Sequence, residues 1–440
     1  MAAQRTRCLV TGATGYIGGR LVPRLLEEGF AVRALARTPD KLNGVPWRDK
    51  IEIARGDLTD ADSLAEAFTD VDVVYYLVHS MGTSADFAAD ERRAAQNVVI
   101  AARTAGVRRI VYLSGLHPEG AELSTHLASR TTVGEILIAS GIETVVLQAG
   151  VVVGSGSASF EMIRHLTDRL PVMTTPKWVH NKIQPIAIRD VLHYLAAAAT
   201  AEVPSSRAWD IGGPDVLEYG DMMQIYAEVA GLSRRHMVVL PVLTPRIAAL
   251  WVGLVTPIPS GLARPLVESL HCDAVMANHD IDTIIDPPPA GLTPYRRAVS
   301  LALARIARGE VETTWDTGTA ASVPSDPDWA GAIVYTDTQS RHTAASPQRL
   351  WEAVEHSVPD HWQVESRDEG ALLRLRADDR TPGVRWLEMR VAPDRGGSRY
   401  EQRAIFYPRG LLGRLYWIAG RPVHAVTLGA QLRKVTEAVG

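Results

Sequence analysis

The chain has 440 residues, of which 46% are hydrophobic and 22% charged, and its formal net charge at pH 7 is −4. This length predicts two or three domains with a sizeable core, and the small net charge argues against general affinity for nucleic acid. The two cysteines, Cys8 and Cys272, cannot form a disulfide framework, which favours a cytoplasmic protein. The most apolar long stretch, residues 237–259, contains Arg246 and four prolines, so no membrane span is predicted there.

A glycine-rich turn at residues 11–19 is the feature around which the sequence is organised. It follows the apolar pair Leu9-Val10 and precedes an amphipathic run, and a second apolar run covers residues 31–36. This order predicts a strand, a tight turn, a helix and a second strand, which together form a βαβ unit. Such a glycine turn lets a pyrophosphate approach the backbone, and the helix N-terminus that follows favours an anion. The candidate cofactor-binding residues of the turn are Gly12, Thr14, Gly15, Tyr16, Ile17 and Gly18.

Apolar runs and helical patterns continue to alternate after this unit. Strands are predicted over residues 51–54, 71–78, 109–113 and 143–153, and helices over residues 61–68, 85–105 and 129–140. Such alternation predicts a Rossmann-type α/β fold, in which a doubly wound parallel sheet carries helices on both faces. Ligands of these sheets bind at the carboxyl ends of the strands. The candidates at those ends are Arg37, Asp57, Leu58, His79, Ser80, Ser114 and the run 154–157.

Composition divides the chain into four parts. Residues 1–219 form the predicted Rossmann domain, 220–309 a helical substrate lobe, 310–329 a linker rich in Thr, Ser, Asp and Pro, and 330–440 a separate α+β domain. Within the lobe, residues 245–255 predict a helix with a broad apolar face. This face is either a buried packing surface or the wall of an apolar substrate site.

The last part predicts short strands and two helices. Ser346-Pro347 begins the first helix, and the alternation of apolar and charged residues over 387–391 predicts a half-buried strand. The turn at residues 394–397 leads into a second alternating run, so a hairpin is expected. Another helical pattern runs from residue 411 to residue 439, and a break is expected at residues 420–422 because of the glycine and proline there.

Several motifs together resemble one protein family. Besides the glycine turn, they are Gly56-Asp57-Leu58, Tyr112-Leu113-Ser114, the run 185–190 and the run 211–214. With these motifs, about the first 310 residues resemble an atypical extended short-chain dehydrogenase/reductase, and the NmrA-like, NAD(P)H-binding group in particular. The resemblance implies a dinucleotide cofactor and an oxidoreductase fold. Residues 408–417 resemble the DUF2867 family, which implies a START-like (SRPBCC-like) helix-grip fold for the last part.

The end of the second predicted strand indicates which dinucleotide is bound. An NAD-selective site places a carboxylate there, whereas this chain has Arg37 and, one turn later, Lys41. Two cations suit the 2′-phosphate of NADP, so NADP is the expected cofactor and NAD the second choice. The alternative is a solvated basic loop. The resemblance implies that Asp57 contacts the adenine, and the alternative is that Asp57 caps the helix predicted over residues 61–68.

The reaction site implied by the resemblance departs from the family pattern. Ser114 matches the family's active-site serine, but the Tyr-x-x-x-Lys pair that should follow is replaced by His126 and Arg130. These two residues are four apart and therefore share one face of a helix. Arg130 is a fixed positive charge, which should lower the pKa of His126 and keep its imidazole neutral. Ser114, His126 and Arg130 are the candidate catalytic residues, and Arg130 also suits the ribose or phosphate of the cofactor.

Two functions of different classes fit these residues. The first is an NADP-dependent oxidoreductase that acts on an apolar small molecule, and the second is a dinucleotide-binding regulator or assembly factor without turnover, as the NmrA-like resemblance implies. A sugar-nucleotide epimerase fits less well, because that chemistry also uses the missing Tyr/Lys pair. The histidines and cysteines form no His-x-x-His or Cys-x-x-Cys motif, so no metal site is predicted. The expected partner is a small molecule, while peripheral membrane contact and the oligomeric state stay open.

Overall fold

The computed structural model describes residues 5–43, 45–78, 87–118, 120–239, 252, 255–256, 266–307, 335–358, 362–378, 381–394, 396–408 and 410–439. The chain divides into a first unit, Met1–Ser322, and a second unit, Val323–Gly440. The linker predicted over residues 310–329 lies outside the described residues.

Strands and helices alternate through the first unit. Its described strands are β1 (Arg7–Thr11), β2 (Ala31–Ala36), β3 (Glu52–Arg55), β4 (Val73–Tyr76), β5 (Arg109–Gly115), β6 (Glu143–Ala149), β7 (Val152–Val153), β8 (Val172–Thr175), β9 (Lys182–Ile183), β10 (Ile186–Ala187), β11 (Arg207–Ile211), β12 (Leu217–Glu218) and β13 (His236–Val239). Its described α-helices are α1 (Tyr16–Glu27), α2 (Ala65–Phe68), α3 (Phe87–Ala105), α4 (Thr125–Ile138), α5 (Ala158–Arg169), α6 (Ile188–Ala197), α7 (Tyr219–Val229) and α8 (Tyr295–Ala307).

Seven parallel strands form the central sheet, in the order β11-β6-β5-β4-β1-β2-β3. Successive side chains of a strand point to opposite faces. Leu9 is therefore buried on the face covered by α2, α3 and α4, whereas Val10 is buried on the face covered by α1 and α6. Helices on both faces explain why the strands read as continuous apolar runs. The predicted Rossmann-type, doubly wound parallel sheet is confirmed.

The sixth predicted strand ends earlier than expected. β6 stops at Ala149, and β7 pairs with β10 outside the central sheet. Gly150 lies at this departure, where the chain passes so close to Gln184 that a Cβ on Gly150 would lie 3.0 Å from the Gln184 carbonyl oxygen. The single strand predicted over residues 143–153 is therefore wrong, because the chain turns toward the β9–β10 region at Gly150.

Helix α4 begins four residues before its predicted start at residue 129. Its N-cap is Ser124, whose side chain accepts a hydrogen bond from the Leu127 N–H at 3.3 Å. A serine cap of this kind satisfies one of the free N–H groups of the first turn. His126 and Arg130 consequently both lie within α4, one turn apart on the same face.

The part of the first unit after the central sheet has its own apolar core, built around α5, α7 and α8. It also contains strands, since β13 pairs in parallel with β8 and β12 pairs antiparallel with β9. The expectation of helix throughout residues 220–309 is therefore wrong at β13, where a run of Met237 and two valines favours a strand. Of the apolar helix predicted over residues 245–255, only Val252 and Val255 are described, and both are buried in this core.

An antiparallel sheet packed against two helices forms the second unit. Its strands, in spatial order, are β14 (Tyr335–Thr343), β18 (Gly397–Pro408), β17 (Gly383–Asp394), β16 (Leu372–Ala377) and β15 (Trp362–Asp368), and its helices are α9 (Pro347–Glu355) and α10 (Gly410–Glu437). Leu350 on α9, Leu387 on β17 and Leu428 on α10 are buried in one apolar core. The predicted α+β domain is confirmed.

Two local predictions in the second unit are confirmed and one is wrong. Ser346 caps α9, because its side chain accepts a hydrogen bond from the Arg349 N–H at 3.4 Å. The expected hairpin joins β17 and β18, with Gly396 in the left-handed region at a φ of +84°. The break expected at residues 420–422 is wrong, since α10 runs through these residues without interruption. Its buried C-terminal half packs on the sheet, and this packing outweighs the one hydrogen bond that a proline removes.

Two kinds of feature are missing from the part of the chain that the structure describes. None of the helices there is both long and apolar enough to cross a membrane. No group of His, Cys, Asp and Glu side chains there is arranged to hold a metal ion.

Candidate cofactor and active site

The turn between β1 and α1 brings three glycines into close backbone contact. Gly12 has a left-handed φ of +76°, and a Cβ there would lie 2.8 Å from the carbonyl oxygen of Leu77. A Cβ on Gly18 would overlap the carbonyl of Gly12. The Gly15 N–H donates a hydrogen bond to that same carbonyl at 2.9 Å. Side chains at positions 12 and 18 would therefore force this turn open.

The N-terminus of α1 is accessible to an anion. Its N-cap is Gly15, which has no side chain to cap the helix, and its first turn contains no acidic residue. The first N–H groups and the positive end of the helix dipole are therefore available to a negatively charged group. Thr14 and Tyr16 are half-buried on either side of Gly15, and Ile17 packs against the core. The turn thus fits the pyrophosphate of a dinucleotide.

Arg20 joins α1 to the loop before α5. Its guanidinium lies 4.8 Å from the centroid of the Tyr16 ring and donates a hydrogen bond to the carbonyl oxygen of Ser155 at 2.9 Å. Arg20 is buried, and the candidate run 154–157 is thereby held beside the cofactor helix. Sequence reasoning missed Arg20, although an arginine among the apolar positions of an amphipathic helix was the available signal.

The basic residues after β2 are exposed, as phosphate binding requires. Arg37 directly follows β2, and Lys41 lies in the 3₁₀ helix Pro39–Leu42. Burial alone would raise the pKa of the nearby Asp57. Two hydrogen bonds from Thr59, donated by its N–H at 2.9 Å and by its hydroxyl at 2.8 Å, act in the opposite direction, as does the charge of Arg37. The pKa of Asp57 therefore lies below its ordinary value. The Asp57 carboxylate is therefore ionised and within the field of Arg37.

The helix that follows Asp57 is capped by another residue. The N-cap of the 3₁₀ helix Ala61–Leu64 is Asp60, whose side chain accepts a hydrogen bond from the Asp62 N–H at 3.3 Å. The alternative in which Asp57 caps this helix is therefore wrong. Asp57 instead closes a local turn onto Thr59, whose N–H and hydroxyl both donate to the same oxygen of the Asp57 carboxylate.

Leu58 is a further candidate near these strand ends. Leu58 is buried, and its carbonyl oxygen accepts a hydrogen bond from the Asn97 side chain on α3 at 2.9 Å. This bond ties the end of β3 to α3 and fixes the loop that carries Asp57. His79 and Ser80 lie outside the described residues.

Ser114 is buried near the end of β5, beside Tyr112 of the same family motif, to which the sequence analysis assigned no role. The buried Ser114 hydroxyl near Tyr112 has no hydrogen-bond partner in the described part of the chain, and the Tyr112 hydroxyl donates a hydrogen bond to the backbone carbonyl of Arg130 at 3.2 Å. Burial raises the pKa of Tyr112 despite the positive charge of Arg130. The Arg130 guanidinium donates a hydrogen bond to the Leu113 carbonyl at 3.1 Å, and this bond attaches α4 to β5. The two-residue spacing of Tyr112 and Ser114 on a strand was the available signal.

His126 is 5% exposed and lies one turn before Arg130 on α4. Burial, and after it the positive charge of Arg130, lower the pKa of His126 from 6.5 to about 3. The imidazole is therefore neutral at physiological pH, which confirms the direction expected from the spacing of the pair. A neutral imidazole accepts a hydrogen bond at one ring nitrogen and donates one at the other.

An apolar cavity of about 130 Å³ opens beside His126 and Arg130. One side of its wall is formed at the carboxyl ends of β5 and β6, where Gly115 and Ala149 line it. The other side comes from Met162, Leu166, Trp178, Met223 and Leu270. The cavity therefore brings together two of the three candidate catalytic residues, whereas Ser114 lies one residue before its wall.

One wall residue adds a polar group to this apolar surface. The Trp178 indole N–H is buried and has no hydrogen-bond partner in the described part of the chain. The Trp178 ring packs edge-on against the Tyr219 ring, with 6.0 Å between the ring centroids, so the indole is held in place. A buried donor of this kind commonly finds its partner in a ligand or a bound water.

A second polar network surrounds His117, at the end of β5. The His117 Nε2 lies 3.1 Å from the Thr131 hydroxyl and 3.4 Å from the Gln148 side-chain nitrogen. Thr131 follows Arg130 on α4, and Gln148 stands opposite Ser114 in the β5–β6 register. The network therefore supports the strand end and the helix that carry the candidate residues. A histidine three residues after Ser114 was the only sequence signal for it.

Two family models match the chain. Residues 12–152 match a model described as NAD(P)H-binding, and residues 337–430 match a model described as a protein of unknown function, DUF2867. The first match extends from the glycine turn to β7, and the second from β14 into α10. The N-terminal part of the chain is thus an NAD(P)H-binding domain.

The relatives that the chain resembles include dehydrogenases, reductases and a UDP-glucose 4-epimerase. A (4-alkanoyl-5-oxo-2,5-dihydrofuran-3-yl)methyl phosphate reductase of Streptomyces griseus is 30% identical over 234 residues, which cover 52% of this chain and 75% of the relative. A 3 beta-hydroxysteroid dehydrogenase/Delta 5-->4-isomerase of Mycobacterium tuberculosis is 35% identical over 120 residues, which cover 24% of this chain. The match to the steroid dehydrogenase spans only about a third, 31%, of that relative's length.

Solved structures share the fold of the first unit. The triphenylmethane reductase of Citrobacter sp., in complex with NADP(H), has a TM-score of 0.54 at 20% identity, and the similarity covers 67% of this chain and 99% of that one. A UDP-glucose 4-epimerase of Thermotoga maritima has a TM-score of 0.53 at 14% identity, with 69% and 99% covered. With the two family models and the Streptomyces griseus relative, the chain belongs to the NmrA-like, NAD(P)H-binding group of short-chain dehydrogenases/reductases and carries a DUF2867 domain at its C-terminal end.

Proposed function

We propose that the protein is an NADP(H)-dependent oxidoreductase that acts on a carbonyl or hydroxyl group of an apolar small molecule. The observation that carries this proposal is the apolar cavity with His126 and Arg130 in its wall. The cavity and the glycine turn both lie at the carboxyl ends of the parallel strands, where dinucleotides and their substrates bind in this fold. A cavity with mainly apolar walls is typical of a site for an apolar ligand.

The proposed cofactor site consists of the glycine turn and the ends of β2 and β3. The turn and the open N-terminus of α1 suit the pyrophosphate, and the exposed cations after β2 suit the 2′-phosphate of NADP. The ionised carboxylate after β3 suits the adenosine end. The residues assigned to this site are Gly12, Thr14, Gly15, Tyr16, Ile17, Gly18, Arg37, Lys41, Asp57 and Leu58, and His79 and Ser80 are assigned from the sequence only.

The nicotinamide, when bound, supplies or accepts a hydride. In the oxidation direction a substrate hydroxyl loses its proton as the hydride leaves, and the neutral His126 is the cavity residue that can accept the hydrogen bond and then the proton. Arg130 keeps its proton and stabilises negative charge that develops on the reacting oxygen. Ser114 is assigned a hydrogen-bonding role at the end of β5. In the reduction direction the same groups act in reverse.

The cavity and a relative together support the substrate class. The wall is mainly apolar, and its polar groups include the His126/Arg130 pair, two serines and the buried Trp178 N–H, so the ligand should be largely apolar with a few oxygen atoms. The name of the Streptomyces griseus reductase includes an alkanoyl group and a ring oxo group, which suit such a wall, and also a methyl phosphate group, which does not. A ketone or enone with an alkyl chain is therefore the first substrate to test.

One observation favours a second candidate function. A pKa of about 3 makes His126 a weak base, because proton transfer is most efficient when the pKa lies near the working pH. With the Tyr/Lys pair of the family absent, the site would then bind the dinucleotide without turnover. In that case the protein is a regulator that responds to NADP(H) occupancy.

Loss of NADPH absorbance with a panel of alkyl ketones, enones and quinones distinguishes the two functions. The proposal expects turnover with at least one apolar compound, and the His126→Ala variant should lose this turnover while it still binds NADPH. The matched control is His279→Ala, because His279 is exposed and does not line the cavity. NADPH binding without turnover of any compound, or wild-type turnover in His126→Ala, would contradict the proposed chemistry.

A further inference from the structure

A second concave site lies in the first unit, next to the apolar cavity but lined by different residues. It is a groove of about 550 Å³ between the 3₁₀ helix Lys177–His180, the start of α7 and β13. Trp178 and Tyr219 line the cavity, whereas their chain neighbours Val179 and Gly220 line this groove. The lobe groove is defined here by its charged and titratable side chains, which are His180, Glu218, Asp221, Arg234, Arg235 and His236.

Arg235 is the unusual member of the lobe groove, because its charge is buried. It is 6% exposed, and its Nε has no hydrogen-bond partner in the described part of the chain. Its guanidinium donates a hydrogen bond from Nη1 to the Ser233 hydroxyl oxygen at 3.3 Å. Most of its five donors are therefore unused by the described protein groups. A buried cation in this condition carries a desolvation cost that an opposite charge would offset.

The backbone of Arg235 is held rigidly, so its side chain starts from a fixed position. The Arg235 N–H donates to the Gln224 side-chain oxygen at 3.1 Å, and the Gln224 side-chain nitrogen donates to the Arg235 carbonyl at 2.5 Å. Gln224 belongs to α7, so two reciprocal hydrogen bonds fix the start of β13 to that helix. With the backbone fixed, only the side-chain torsions of Arg235 lose conformational freedom when it binds a ligand.

The two carboxylates of the lobe groove have other partners. Glu218 and Asp221 form a capping box at the start of α7. The Glu218 side chain accepts a hydrogen bond from the Asp221 N–H, and the Asp221 side chain accepts one from the Glu218 N–H. Glu218 also pairs with the His180 Nδ1 at 2.8 Å. No ion pair between Arg235 and a carboxylate is found among the described residues. The positive charge of Arg235 therefore lacks a protein counter-ion there, while Arg234 and His236 are exposed beside it.

We propose that the lobe groove binds an oxyanion, a phosphate or carboxylate group carried by a small molecule, with Arg235 as its principal ligand. The planar fork of arginine matches the two oxygens of such a group, and the anion would supply the missing counter-charge. Arg234 at the rim adds positive charge. This site is separate from the cofactor turn and does not depend on whether the cavity performs oxidoreductase chemistry.

The test uses the full chain with saturating NADPH, so that the dinucleotide site is filled. Inorganic phosphate and acetate are titrated against chloride at equal ionic strength, and binding is followed by calorimetry and by hydrogen–deuterium exchange of residues 218–224 and 232–239. Protection of these segments by either anion is expected, and the better anion identifies the source of the oxyanion. Absence of protection by both anions would overturn the proposal.

Variants localise the binding to one guanidinium. Arg235→Gln should weaken anion binding by about tenfold or more, since it removes a charge-assisted contact, and Arg235→Lys should weaken it less. The matched control is Arg296→Gln, which removes an exposed arginine that pairs with Glu228 on α7, outside the groove. Equal anion affinity in the wild type and Arg235→Lys, or equal losses in the Arg235 and Arg296 variants, would refute the assignment. If Arg235→Gln does not fold, the lysine variant and the wild-type exchange data decide the question.

Discussion

Replacement of His126 by glutamine should make the stability of the protein less sensitive to acid. The folded-state pKa of about 3 lies below the ordinary 6.5, so between these two values the unfolded chain binds one more proton than the folded chain. The contribution of the neutral imidazole to stability is complete above pH 6.5 and is lost as the pH falls toward 3. The loss is about 1.4 kcal/mol per pH unit, or roughly 3 kcal/mol at pH 4.5.

Urea unfolding at pH 7.5 and pH 4.5 measures this effect as a difference between variants. Other groups also titrate over this interval, but they do so equally in the wild type and in His126→Gln. The wild type should therefore lose roughly 3 kcal/mol more than His126→Gln between the two pH values. His279→Gln, which alters an exposed histidine, should behave as the wild type does. Equal losses in the wild type and His126→Gln would refute the buried, neutral state of this imidazole.

Three more results are expected from variants and from proteolysis. Arg37→Ala should weaken NADP(H) binding about tenfold or more and leave NAD(H) binding unchanged. Calorimetry that finds equal NADP affinity in the wild type and in Arg37→Ala would disprove the 2′-phosphate contact. Arg130→Ala should weaken NADP(H) binding by about 1–3 kcal/mol, and calorimetry that finds wild-type affinity would remove Arg130 from the cofactor site. Limited proteolysis should cut within residues 310–329 and leave a stable N-terminal fragment, whereas cleavage that unravels the part before residue 310 would mean that the boundary is misplaced.

The central sheet could be predicted because each of its signals is local. The glycines at 12, 15 and 18 and the alternation of apolar runs are readable within short windows, and parallel strands with helical crossovers follow from them. The end of β6 could not be read in this way. Val152 and Val153 continue the apolar run of β6, but the close approach of Gly150 to Gln184 depends on a segment more than thirty residues away in the chain.

The candidate site was predictable in its residue types and less so in its surroundings. The spacing of His126 and Arg130 indicated a shared helix face and the direction of the histidine pKa shift. Burial, the larger cause of that shift, depends on side chains from α5, α7 and the segment around Leu270, which no local pattern connects to α4. The buried charge of Arg235 was invisible for the same reason, because its neighbours come from three separate elements.

The hydrogen bond from Arg20 to Ser155 has a consequence for domain shuffling within the family. The acceptor is a main-chain oxygen, so mutation of residue 155 leaves the acceptor in place, and only the α1 side of the contact depends on residue identity. A chimaera that retains Arg20 and imports a foreign substrate-binding segment keeps this attachment wherever the imported loop follows the same backbone path. Exchange of the residues after 155 therefore leaves the cofactor helix and its half of this contact unchanged.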